Sequence, residues 1–76
     1  MGNAAAQLEG FGDTPGEAAK ALCNLIKYHG NAVAIGSRFE KSPSGQNVTK
    51  YWIWDGEKRH YINFSVNRDI YRAYLE

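Results

Sequence analysis

The sequence predicts an α+β fold: a two-layer sandwich of α-β-β-β-α order, in which two helices cover one face of a three-stranded antiparallel sheet. Three observations lead there. A capped amphipathic helix starts at Thr14, apolar residues alternate through 31–40, and an Asp55-Gly56 turn separates two further alternating runs.

The helix is the clearest element. In Thr14-Pro15-Gly16-Glu17 the Thr hydroxyl is placed to accept the N3 amide, Glu17 to return a bond to the Thr14 amide, and Pro15 suits the first helical position. Ala18, Leu22, Leu25, Ile26 and His29 fall on one face, with Glu17, Lys20, Asn24 and Lys27 opposite. Gly30 then supplies the left-handed residue that ends such helices. Residues 1–12 are small and Gly-rich and read as a flexible arm, with a short strand over 7–11 and only Leu8 and Phe11 as anchors. Residues 13–76 form the single domain.

Residues 31–40 place Val33, Ile35 and Phe39 on the core face of a strand and Ala32, Ala34, Gly36 and Arg38 on the other. That second face is thin enough to lie under another backbone. Residues 41–47 make a polar Pro/Gly/Ser loop, long for a hairpin and therefore mobile. At the end of the chain Asn67 suits an N-cap, and Ile70, Tyr71, Tyr74 and Leu75 share a helical face. A terminal helix is the expectation, although alternation of Val66, Arg68, Ile70 and Arg72 also fits a strand.

The Asp55-Gly56 hairpin holds the functional information. A loop of two or four residues puts Thr49, Tyr51, Ile53, His60, Ile62 and Phe64 on one face and Val48, Lys50, Trp52, Trp54, Arg59 and Tyr61 on the other. A three-residue loop would put the tryptophans with Ile62 and Phe64 instead. The even loops are preferred because they gather Ile53, Ile62 and Phe64 without burying Lys50 or Arg59. Their consequence is an exposed aromatic and basic face of Lys50, Trp52, Trp54, Arg59 and Tyr61. Rings beside cations are what a protein hot spot needs and also what single-stranded nucleic acid needs. Filling of a second small core by the tryptophans and the arm is the structural alternative.

Composition favours the protein partner. Seventy-six residues allow one small domain, and 43% hydrophobic and 22% charged residues are ordinary for globular chains. Net charge is +1 and the pI 7.9, below the value of about 9 common among phosphate-binding domains. The balance is uneven, with two Lys against three acids in residues 1–37 and seven Lys or Arg against four acids in 38–72. Cys23 stands alone, so no internal disulfide forms, and a reducing, cytoplasmic setting is expected. No signal-peptide pattern or apolar run of membrane-spanning length occurs, so no membrane role is expected. Gly2 is a myristate acceptor in form, but Ala6 stands where that signal has Ser or Thr.

No catalytic, metal or cofactor constellation is visible. His29 reads as a helix C-terminal residue, His60 as a core histidine with one nitrogen bonded, and Cys23 as a small buried hydrophobe. The helix-strands-helix order resembles double-stranded RNA-binding domains. Their second helix opens on a lysine-rich segment, whereas Asn67-Arg68-Asp69-Ile70-Tyr71-Arg72 has no lysine, and the RNA function is not carried over. The expectation is a non-enzymatic regulator or inhibitor, monomeric or homodimeric, of the class phage and mobile elements encode, acting on a protein through the hairpin face and the 41–47 loop. Nucleic-acid binding is the alternative.

Overall fold

A computed structural model describes residues 8–75; Gly2, Ala6 and the start of the 1–12 arm lie outside them. The described chain forms one helix and six strands: β1 (Glu9–Gly12), α1 (Pro15–Tyr28), β2 (Ala34–Lys41), β3 (Asn47–Trp54), β4 (Arg59–Tyr61), β5 (Asn63–Asn67) and β6 (Ile70–Tyr74). They make two three-stranded antiparallel sheets, ordered β1-β6-β5 and β2-β3-β4. The class is α+β with antiparallel sheets, but the single α-β-β-β-α sandwich is replaced by two sheets sharing one helix.

The change comes from residues 67–75. Arg68 and Asp69 take positive φ, 55° and 66°, and turn the chain so that Asn67 faces Ile70 in a β5–β6 hairpin. Two consecutive left-handed residues are the geometry of the tight turn whose twist matches paired strands. The terminal helix therefore does not form. As a strand, the segment points Tyr71, Ala73 and Leu75 towards the helix, where Ala73 is fully buried, while Ile70, Arg72 and Tyr74 point away.

β6 in turn captures the chain start. Glu9–Gly12 pairs with it, from Glu9 opposite Tyr74 to Gly12 opposite Tyr71, so the last four residues of the expected arm belong to a sheet. Gly10 permits this: a Cβ there would stand 2.3 Å from the Leu22 backbone nitrogen and 2.4 Å from the Ala18 carbonyl oxygen. Arg72 fastens the outer side, donating to Glu9 Oε2 at 2.6 Å and to Ser65 Oγ at 3.1 Å.

α1 starts as its sequence predicts. Thr14 is extended, and its hydroxyl accepts the Glu17 amide at 3.1 Å. The return bond differs by one residue, since Glu17 accepts the amide of Asp13 rather than that of Thr14. At the other end Gly30 (φ 94°) donates to Lys27 O and Asn31 to Ile26 O, which satisfies two terminal carbonyls. The buried stripe is Ala18, Ala19, Leu22 and Cys23, rotated from the expected one: Leu25 is partly exposed and His29 is an exposed C-cap. Small residues on this stripe let the helix lie close to β1 and β6. Ile53 and Ile62 complete the core from the other sheet.

The run 59–67 links the two sheets. Its first part pairs with β3 and its second with β6, and Ile62 sits at the step, buried, with its N–H on Tyr51 O at 2.9 Å. Tyr51 and Phe64 fill the corner edge-on, 5.8 Å between centroids. The β2–β3 ribbon runs past the helix. Phe39, expected on the core face, is 71% exposed, because α1 spans only about 21 Å and ends short of it. The loop is shorter than expected, residues 42–46, and closed by the Ser42 amide on Gln46 O and the Gln46 amide on Ser42 Oγ.

Candidate functional site

Register in the β3–β4 hairpin follows from its turn. Trp54 faces Arg59 and Trp52 faces Tyr61 across a four-residue loop, 55–58, one of the two even lengths. Asp55 builds that loop: its Oδ1 accepts the amides of Glu57 at 2.8 Å and Lys58 at 2.9 Å, and His60 Nε2 meets its Oδ2 at 2.6 Å. Led by the His60 bond, these interactions hold the Asp55 carboxyl well below the usual carboxylate range. His60 thus has one nitrogen bonded, but at a half-exposed rim rather than within the core.

Side chains alternate from this register. Tyr51, Ile53, His60 and Ile62 face α1, and Lys50, Trp52, Trp54, Arg59 and Tyr61 share the outer face. The Arg59 guanidinium carbon lies 4.1 Å from the Trp52 ring centroid, and Trp52 and Tyr61 stand 5.7 Å apart at a tilt of 53°. Arg59 Nη1 also reaches Tyr61 Oη at 3.4 Å. Trp52, Arg59 and Tyr61 form one stacked group, while Trp54 is 41% and Tyr61 50% exposed beside it. Lys50 is exposed one step along β3.

Trp52 owes its seat to Gly36. The two residues are cross-strand partners, and a Cβ on Gly36 would stand 2.4 Å from the indole Nε1. The thin face of β2 therefore lies under a side chain, not under another backbone. With Trp52 folded down and stacked, Trp54 and Tyr61 are the rings left to meet a partner. Beyond Tyr61 the chain leaves β3, opening a depression of about 310 Å³ lined by Val48, Lys50, Tyr61, Asn63 and Phe64 among others.

A second exposed apolar group, unforeseen in the sequence, lies on the outer side of the other sheet. Phe11 and Ile70 are exposed there beside Arg72, which also stacks on Tyr74 at 4.6 Å. Its signal was the strand alternation of 66–72. Arg72 is committed to Glu9, Ser65 and Tyr74, which makes this face a clamp between strands.

Cys23 is buried, and among the described residues no three His, Cys, Asp or Glu side chains converge as a metal site. No described helix is long and apolar enough to cross a membrane. Comparison with protein families, curated proteins and solved structures finds no match.

Proposed function

We propose that this chain is a non-enzymatic binding module, a small regulator or inhibitor that docks on a protein partner through the outer face of the β3–β4 hairpin. One observation carries the reading: the core uses the inner face, and the outer face still holds a preassembled Trp52–Arg59–Tyr61 stack with Trp54 exposed next to it. Trp, Tyr and Arg are the residues that dominate interface energetics. Stacking fixes their rotamers before contact, so less side-chain entropy is lost on docking. The depression beside Tyr61 offers a seat for one partner side chain.

Trp54→Ala tests the reading. It should weaken partner binding by about 2 kcal/mol, roughly 30-fold, with little change in thermal stability. Immobilised protein should retain a partner that the variant loses. A large stability loss, or equal retention by both proteins, would refute a docking role for Trp54.

Single-stranded nucleic acid is the second reading, favoured by Lys50 and Arg59 beside the rings. Salt separates the two. Affinity for an oligothymidine probe should fall steeply with ionic strength if phosphates are bound. Absent or salt-insensitive binding removes this alternative.

A further inference from the structure

β2 is the longest strand edge left open among the described residues. Its eight residues pair with β3 on one side, and no described strand lies on the other. The ladder fixes which backbone groups face outwards. Ser42 N–H bonds to Gln46 O within the β2–β3 hairpin, and Ile62 N–H bonds to Tyr51 O on the far side of β3. Hydrogen-bonding direction alternates along a strand. Even-numbered residues of β2 therefore point N–H and C=O at β3, and Ser37, Phe39 and Lys41 point theirs at the open edge.

The side chains along that edge complement a second copy of themselves. We infer that two copies of this chain pair antiparallel through β2, with Phe39 opposite the partner's Phe39. In this register Arg38 faces Glu40 of the partner subunit, Glu40 faces the partner's Arg38, and Ser37 faces the partner's Lys41. Residues 35, 37, 39 and 41 have outward backbone groups, and in this register 37, 39 and 41 meet one another, so side-chain and backbone requirements select the same alignment. A shift of one residue would place Phe39 against a charge and turn the outward groups out of phase.

Two further observations bear on it. Arg38 lies directly opposite Lys50 within its own chain, and like charges so placed are destabilising. Its carboxylate contact, Glu40 of the same strand, is at 3.9 Å with both side chains exposed. A partner's Glu40 on the open side would answer that charge. Phe39, 71% exposed and outside the core, would gain a cross-strand aromatic neighbour. The symmetry is isologous and closes at two copies. The joined β4-β3-β2 sheets then carry both aromatic outer faces on one side and both helices on the other. This association stands independently of the docking reading.

Sedimentation velocity of the full chain, over a series from about 1 μM to about 1 mM, should show a monomer–dimer equilibrium, weak as befits a small interface. Glu40→Arg and Arg38→Glu should each raise the dimer dissociation constant about tenfold, since two attractive pairs become repulsive. The double variant R38E/E40R should restore it. In the dimer, amide exchange should slow at Ser37, Phe39 and Lys41, while Arg38 and Glu40, already bonded to β3, change little. A monomer throughout, a double variant that stays dissociated, or a dimer in which those three amides exchange freely would each overturn the inference.

Discussion

Replacing Gly36 with alanine probes the floor of the aromatic face with one methyl group. The added Cβ would stand 2.4 Å from Trp52 Nε1, about 1 Å inside ordinary contact, so the indole must lift or swing. Lifting costs the Arg59–Trp52 contact, about 0.5–1 kcal/mol at an exposed site, and the Trp52–Tyr61 contact, about 0.5–1.5 kcal/mol. The exchange also removes a flexible glycine from a strand, which returns about 0.5–1 kcal/mol. The net loss is centred on about 1 kcal/mol, a fall in Tm of roughly 4–8 °C for a domain of this size. Thermal unfolding reads the loss, and tryptophan emission with iodide quenching reads the lifted ring, which should become easier to quench. Unchanged Tm together with unchanged quenching would refute the seating of Trp52 on Gly36.

Two other perturbations test the frame. Gly10→Ala pushes a methyl into helix backbone, which cannot yield as a side chain can; a loss of about 2 kcal/mol or more in urea unfolding is expected, and wild-type stability would refute the close contact of β1 with α1. The Asp55 carboxyl is held lower in the folded chain than in the unfolded one, so its contribution is full above the unfolded value of about 3.9 and is lost as pH falls below it. Asp55→Asn should therefore lower stability at neutral pH and flatten the acid limb of the Tm profile; an unchanged acid limb would refute the role of the carboxylate.

Much of the exposed aromatic and basic face was legible because charge and alternation agreed. A three-residue loop would have carried Lys50 and Lys58 into the core with the tryptophans, and burying two unpaired cations is far costlier than exposing rings. The helix ends were equally readable, since Thr14 and Gly30 act through their immediate neighbours. What failed was anything decided at a distance. In 67–75, Ile70, Tyr71, Tyr74 and Leu75 satisfy a helical face while Tyr71, Ala73 and Leu75 satisfy a strand face, and the choice rests on pairing with Glu9–Gly12 at the opposite end of the sequence. The turn gives little warning, because Arg68 takes a left-handed conformation without being glycine. Phe39 failed similarly: its parity was right, but nothing local tells where α1 stops covering the ribbon. The Gly36 cradle was half legible, as a missing side chain whose occupant lay fifteen or so residues away.

The pairing of β1 with β6 also orders events in time. Glu9 finds its partner in Tyr74, so nearly the whole described chain lies within the loop that this contact closes. Hairpins β2–β3, β3–β4 and β5–β6 form between near neighbours, whereas β1 must wait for β6, which is synthesised well after it. Until then Gly10 has no sheet to join and one flank of α1 stays bare. A chain cut short of residue 70 would lack the sheet that covers α1 and would present Ala18 and Leu22 to whatever chaperone or sticky surface came by.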